Sequence, residues 1–302
     1  MAQNMGTRMI YYSFIIPHHN NPELLNRCIE SIPQREDTQI IVIDDNSKPD
    51  KRPNIPRNDV EIQNIDATDS KGAGHARNIG MTKATGKWLV FADCDDYFSN
   101  DFLQTLDRYR DSDNDVVYYN YQYIDSRTNA NITDCTLQSY LSHFDESKQM
   151  SDYIRYCNHT PWSKMVRRDF VESNGMYFEE VPNGNDTLFS LFVGLKCRKF
   201  AVAHERLYCY VKNENSIGTK RQSVENIMCK VTHIVKGNQL NKAIGHEEWN
   251  RSFIKRTHVL LYGQTLSRKI RMYFTLLLSS YYLFRNRKEW IDILGVTEKN
   301  HP

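Results

Sequence analysis

Three carboxylates, Asp93, Asp95 and Asp96, fall within four positions directly after the apolar run Trp88-Leu89-Val90-Phe91-Ala92. Five uninterrupted apolar and aromatic residues read as a strand buried on both faces, so a buried strand ends in concentrated negative charge. Carboxylates this close repel one another and are tolerated by full solvation or by a nearby cation. Asp93 and Asp95 are two apart and share one side of an extended chain. Open α/β sheets bind ligands in the crevice beyond the carboxyl ends of their strands, which makes the cluster a candidate metal and phosphate site. A polar turn followed by a helix cap uses the same residue types, and this stretch alone does not separate the two.

Other residues with chemical potential lie at comparable places. Gln39 to Ile43 is a second apolar run ending in carboxylates, Asp44-Asp45. The segment Ser70 to Gly80 carries glycines and Arg77 just before the Trp88 strand, within reach of a phosphate or of the central carboxylates. It lacks the lysine-serine ending of a P-loop and the full dinucleotide pattern. Asp186 precedes the apolar helical run Thr187 to Val193; it is an N-cap, or a carboxylate kept ionised by the helix N-terminus as a general base requires. Trp162 and the tyrosines at 118, 119, 121 and 123 are core residues or a stacking surface for a sugar. Lys164 is a candidate contact to phosphate or acceptor. His204 is a strand histidine or an extra metal ligand.

The elements that would position these residues alternate. Tyr12 to Ile16 is a strand expected to stop at Pro17, which cannot donate to a ladder. Asn21-Pro22-Glu23 then opens an amphipathic helix with Leu24, Leu25, Cys28, Ile29 and Ile32 on its period. Val60 to Ile65 and Asp115 to Ile124 are further strands, as is the short Pro161 to Val166. A helix from Arg168 is ended by Gly175. Ala201 to His204 and Leu207 to Val211 read as paired strands around a Glu205-Arg206 turn, while 129–150 is polar and reads as a surface excursion. Strand and helix alternation at this spacing implies βαβ units and an α/β, mostly parallel sheet flanked by helices.

The chain has 302 residues, 40% of them hydrophobic, enough for a substantial core. Seven cysteines without a CxxC pair favour a reducing compartment over a disulfide framework or a zinc site. The opening residues lack a basic region followed by an apolar run, so no secretory leader is expected. The net charge of +2 is uneven: residues 219–302 hold 15 Lys plus Arg against 6 Asp plus Glu, leaving 24 against 31 before them. From Ser223 the pattern is helical and basic. Its most apolar part, Met272 to Phe284, spans about 20 Å as a helix, short of the roughly 30 Å of hydrocarbon. Flanked by Arg268, Lys269, Arg271, Arg285, Arg287 and Lys288, it suits an interfacial anchor on an anionic membrane, or a helix packed on the α/β domain. No nucleic-acid motif accompanies the charge.

Seven features in order, FIIPHHN, the helix after it, IIVIDDNS, GAGHARNIG, GKWLVFADCDDY, PWSKMVRR and PNGNDTLF, resemble the family-2 glycosyltransferases of the GT-A fold, of the bacterial polysaccharide and glycan-assembly type. The resemblance covers some 210 residues. It implies a Rossmann-like catalytic domain over 1–218; the basic helical region over 219–302 falls outside it. It further implies that Pro17, His18, His19 and Asn20 line a nucleotide base pocket, that Asp45 binds the base, usually uracil, and that Arg77 lies near base and diphosphate. Asp93 would approach the ribose or sugar, Asp95 would hold Mn²⁺ or Mg²⁺, and Asp186 would be the catalytic base. Two positions depart from the pattern: histidines follow Pro17 in place of aliphatic or aromatic residues, and Asn185 stands where Glu often precedes the base. The implied reaction is single inverting transfer from a nucleotide sugar, usually a UDP-sugar, to a glycan or lipid-linked acceptor, in the cytoplasm or at the inner membrane face. A sugar-phosphate nucleotidyltransferase, which needs no acceptor base, and a non-catalytic nucleotide-sugar-binding or membrane-surface protein on the same fold are the competing expectations.

Overall fold

A computed structural model describes residues 9–132, 135–181, 184–212 and 224–250, together with 265–267, 269–270, 273–274 and 277–278. The chain divides into two units, one of residues 1–181 and 185–214, the other of residues 182–184 and 215–302.

The first unit opens with β1 (Tyr12–His18), α1 (Pro22–Glu30), β2 (Thr38–Asp45), β3 (Val60–Ile65), α2 (Ala73–Lys83) and β4 (Trp88–Phe91). It continues through β5 (Tyr97–Phe98), α3 (Phe102–Asp107), β6 (Val116–Asp125), α4 (Thr136–Ser142), α5 (Lys148–Cys157), β7 (Lys164–Arg167), α6 (Arg168–Ser173), α7 (Asn185–Lys196) and β8 (Phe200–Lys212). The strands form one sheet in the order β3-β2-β1-β4-β7-β6-β8-β5. β1, β2, β3 and β4 pair in parallel, whereas β7 runs antiparallel to both β4 and β6. β6 and β8 are again parallel, and β5 closes the edge antiparallel to β8. The sheet is therefore mixed. In the second unit α8 spans Val224–Ala243.

All seven residues of β1 are buried, the polar Ser13 and His18 among them. Full burial of each of its large apolar side chains is worth roughly 1.5–3 kcal/mol. Around it Phe14 meets Phe98 and Phe102 edge-on, at 5.4 and 5.8 Å between ring centroids.

Three expectations are corrected. β1 does not stop at Pro17 but runs on to His18, with Pro17 opposite Ile43 in the β2 register. Its pairing with β4 ends at Ile15, whose carbonyl accepts from Ala92 N at 3.2 Å on that side. Residue 17 faces the same way as residue 15, so the nitrogen without a proton points where the ladder has already ended. Second, β8 is a single 13-residue strand. The polar Glu205-Arg206 pair is a bulge in it: β6 residues Tyr119, Asn120 and Tyr121 lie opposite Ala203, Arg206 and Tyr208. Third, the polar 129–150 stretch contains α4 and the start of α5. Leu137 and Leu141, one turn apart, are buried beneath a surface polar enough to hide their period. Most of Met272 to Phe284 lies outside the described residues.

Candidate active site

The strand ends place β1, β2 and β4 in register, so their terminal residues share one edge. At the end of β1, His18 is buried and its Nδ1 donates to Asp44 Oδ1 at 2.7 Å, while its Nε2 accepts from the Asn21 backbone N–H at 3.1 Å. Ser47 Oγ donates to the same carboxylate at 2.5 Å and accepts from Asn20 N–H at 2.7 Å. His19 Nδ1 donates to the Asp45 carbonyl at 2.7 Å, and Asn20 Oδ1 accepts from Lys48 N–H at 2.8 Å. These bonds zip the loop after β1 to the loop after β2. Asn20 and Asn46 take left-handed backbone conformations, which asparagine tolerates better than most residues.

Asp45, 7% exposed, sits at the end of β2 and accepts from Gly72 N–H at 2.9 Å through Oδ2. Its other oxygen is buried with no hydrogen-bond partner. A buried carboxylate oxygen left unpaired is costly, so it marks where a ligand N–H would be accepted. Gly72 itself has φ of +87°, a conformation that favours glycine. Two residues on, a Cβ at Gly74 would lie 2.1 Å from the Glu179 carbonyl oxygen and 2.9 Å from Asn185 Cβ. The glycine loop is thus what lets α2 approach the start of α7.

Arg77, on α2 and 5% exposed, joins two parts of the site. Its Nη2 donates to Asp93 Oδ1 at 2.5 Å and its Nη1 to Asn185 Oδ1 at 2.7 Å, with the guanidinium 5.3 Å from the Phe178 ring centroid. Its fork ties the aspartate cluster to α7, a link that the expected place near base and diphosphate did not include. Asp96 is buried, and burial, reinforced by Asp93 and Asp95, pushes its carboxyl well above the usual range. Tyr208 Oη donates to Asp96 at 2.9 Å and accepts from Asp93 N–H at 2.9 Å, and Val211 N–H donates to Asp96 at 2.7 Å. Of the three carboxylates, Asp93 is held by Arg77 and Asp96 by β8. Asp95 is half-buried, and Arg27 from α1 donates to its backbone carbonyl.

Asp186 lies in the first turn of α7, which begins at Asn185, so it is within the helix rather than its cap. Trp162 is 6% exposed, stacks on Tyr208 and Tyr210 at 4.9 and 5.3 Å, and meets Tyr121 edge-on at 4.9 Å. Tyr118 and Tyr119 are fully buried, in keeping with core positions. Lys164 is also fully buried, so the structure does not offer it to a phosphate or an acceptor at the surface; its Nζ donates to the Asn158 carbonyl at 2.8 Å. His204 Nδ1 donates to the Leu141 carbonyl at 3.0 Å, as a strand histidine satisfied on one ring nitrogen.

Arg27 and Tyr208 border this site and carry no motif signal of their own. Only the apolar alternation of β8 hinted that Tyr208 and Tyr210 share a face.

The chain matches the model of glycosyl transferase family 2 over residues 13–175, more than half its length, and belongs to that family. Among its relatives is EpsJ, an uncharacterized glycosyltransferase of Bacillus subtilis (strain 168), 27% identical over 223 residues. That alignment takes in 68% of this chain, which spans 62% of EpsJ's own length. The fold is that of TarS (residues 1–349) of Staphylococcus aureus, with TM-score 0.61, 18% identity, and coverage of 89% of this chain and 80% of that one. TarS is also known in complex with UDP-GlcNAc, where the TM-score is 0.56 at 19% identity, covering 94% and 80%. The mannosyltransferase PcManGT of Pyrobaculum calidifontis, in complex with GDP-Man and Mn²⁺, has TM-score 0.53 at 13% identity, covering 96% and 86%.

Proposed function

We propose that the protein is an inverting, metal-dependent glycosyltransferase that moves a sugar from a nucleoside-diphosphate sugar, a UDP-sugar in the first instance, to a hydroxyl of a glycan or lipid-linked acceptor. The observation that carries this reading is the Arg77 bridge, which draws Asp93 and the first turn of α7 to one strand-end site.

In this reading the loops after β1 and β2 hold the nucleotide. The unpaired Asp45 oxygen accepts a base N–H, as the imide of uracil would supply. Pro17, His19 and Asn20 form the rigid wall beside it. Asp93 meets the ribose or sugar, oriented by Arg77. Among the described residues no group of three or more His, Cys, Asp or Glu side chains converges to chelate a cation. The donor set fits a hard cation that takes one protein carboxylate and completes its shell with phosphates and water. Asp95, half-buried at the carboxylate edge beyond β4, would hold it. When bound, Mn²⁺ or Mg²⁺ supplies charge neutralisation for the leaving diphosphate. Asp186, at a helix N-terminus that favours its ionised form, takes the proton of the attacking hydroxyl, worth about 10²–10⁴ in rate.

We assign this chemistry to residues 1–218 and peripheral contact with the anionic inner face of a membrane to residues 219–302. Among the described residues no helix is long and apolar enough to cross a membrane. Leu266, Ile270, Phe274, Leu277 and Leu278, 56–74% exposed, recur at the spacing of one helix face. Lys269 and the basic composition around them suit anionic lipid. Cosedimentation with phosphatidylglycerol vesicles checks this, and failure of the intact protein to pellet removes it.

Melting temperatures against UDP-, GDP-, CMP- and dTDP-sugars, with and without Mn²⁺, test the donor site; a ligand at about 100 times its dissociation constant adds about 2.7 kcal/mol. The reading expects one nucleotide family to stabilise the wild type, with Mn²⁺, and the Mn²⁺-dependent part of that stabilisation to be lost in Asp95→Ala. Asp186→Asn is expected to keep that stabilisation and lose transfer. Retained transfer would remove Asp186 from the mechanism.

A further inference from the structure

Lys164 is the first residue of β7, and because β7 runs antiparallel to β4 its start lies at the edge where β4 ends. The side chain is completely buried. Nζ donates to the Asn158 carbonyl at 2.8 Å and stands 5.6 Å from the Tyr118 ring centroid, and among the described residues no ion pair holds it. The loop around it is rigid: Asn158, also buried, accepts through Oδ1 from Thr160 Oγ1 at 2.7 Å and Ser163 Oγ at 2.9 Å. The same loop is fastened to α7, because Ser190 Oγ donates to the His159 carbonyl at 2.8 Å. Ser190 lies four residues after Asp186, hence on the same helix face, so Asp186 projects from the side of α7 that meets the lysine's loop.

A lone buried ammonium is expensive, and burial pulls Lys164 down to about 7, opposed by the negative charge of Asp186. Methionine would fill the same space without that penalty. The site meanwhile gathers Asp93, Asp95 and Asp96 on one edge and, in the reading above, a diphosphate. All of these disfavour an ionised carboxylate nearby, which is the form a base requires.

We propose that Lys164 is a positioning residue for Asp186: a buried ammonium at the carboxylate edge that adds a counter-charge to the carboxylate and helps hold it ionised and aimed at the acceptor hydroxyl. The inference rests on the reading of Asp186 as base. The groups packed against the lysine are the Asn158 carbonyl, the Tyr118 ring and, through its own carbonyl, Tyr119 Oη at 3.4 Å; the charge it senses is that of Asp186.

The test follows UDP release from the UDP-sugar that stabilises the protein most, with Mn²⁺ and water as acceptor, from pH 5.5 to 9.5. Wild type, Lys164→Met and Asp186→Asn are compared, and binding of Mn²⁺ with UDP is measured on each by thermal shift. Lys164→Met is expected to fold, to bind UDP as the wild type does, and to keep its KM. The acid limb of its profile should move up by about one unit, so that kcat falls by up to about tenfold on that limb and the deficit narrows towards pH 9. Unchanged kcat and limb, with Asp186→Asn inactive, overturn the assignment and leave the base standing. An active Asp186→Asn overturns both. A Lys164→Met protein that does not fold, or that loses UDP binding, shows the lysine to be structural or part of the donor site and overturns the assignment as well.

Discussion

Replacing Lys164 by methionine keeps the unbranched stem and removes the ammonium, which makes its effect on stability calculable. In an unfolded chain lysine titrates near 10.4, whereas in the folded protein burial brings Lys164 down to about 7. Between those values the unfolded state binds more protons than the native state, so stability rises with pH. Below the window both states are charged and above it both are neutral, and the slope vanishes at each end. Over the whole window the buried lysine lowers neutral-pH stability by roughly 4–5 kcal/mol relative to a neutral side chain, of which roughly 2.5 kcal/mol is recovered between pH 7.5 and 9.5. Against this, methionine leaves the Asn158 carbonyl without its donor, about 1–3 kcal/mol. Lys164→Met is therefore expected to be more stable than wild type by about 2 kcal/mol near pH 7 and to lose that advantage by pH 9.5. Other groups that titrate nearby, such as the Cys197 thiol pushed up to about 12 by burial, are common to both proteins and cancel in the difference. Urea titrations of the two proteins at half-unit steps of pH supply the comparison. A difference that stays constant between pH 7.5 and 9.5 would refute the reasoning, because it would mean that no buried proton is being titrated.

Two further substitutions probe the approach of α2 to α7. Gly74→Ala puts a Cβ 2.1 Å from the Glu179 backbone oxygen, which cannot rotate away; stability should fall by about 1–3 kcal/mol, and kcat more than donor binding, as measured by thermal shift with UDP and Mn²⁺. Arg77→Lys keeps the charge but cannot bridge Asp93 and Asn185 together. A loss of about tenfold or more in kcat/KM is expected, and wild-type kinetics would show that the bridge is not needed to align the two halves of the site.

The parts of the site that lie within a few residues of one another were legible in the sequence. Apolar runs ending in Asp44-Asp45 and Asp93 to Asp96 predict strand ends carrying carboxylates, and the structure brings both to one edge of the sheet. The glycine loop before β4 was legible too, although its reason was not: the need for Gly74 comes from Glu179 and Asn185, more than 100 residues on. Helices α4 and α5 are hidden in the sequence because a few buried residues in a polar stretch carry the packing. The single strand β8 reads as two because a charged bulge and a turn share their composition.

What local reading could not supply is which charge meets which partner, and that follows from strand direction. β7 runs against β4, so the start of β7 rather than its end reaches the carboxylate edge, bringing Lys164 there with its side chain inside the protein. β6 reverses direction again and β8 runs with it. The later part of β8 therefore arrives at that same edge, where Tyr208 and Val211 secure Asp96. Two reversals in a sheet that βαβ spacing predicts to be mostly parallel thus decide the electrostatics of the site. They commit Asp96 to the interior and set a buried ammonium within electrostatic reach of Asp186. A lysine in a short PWSK segment reads as a surface contact until the direction of its strand is known.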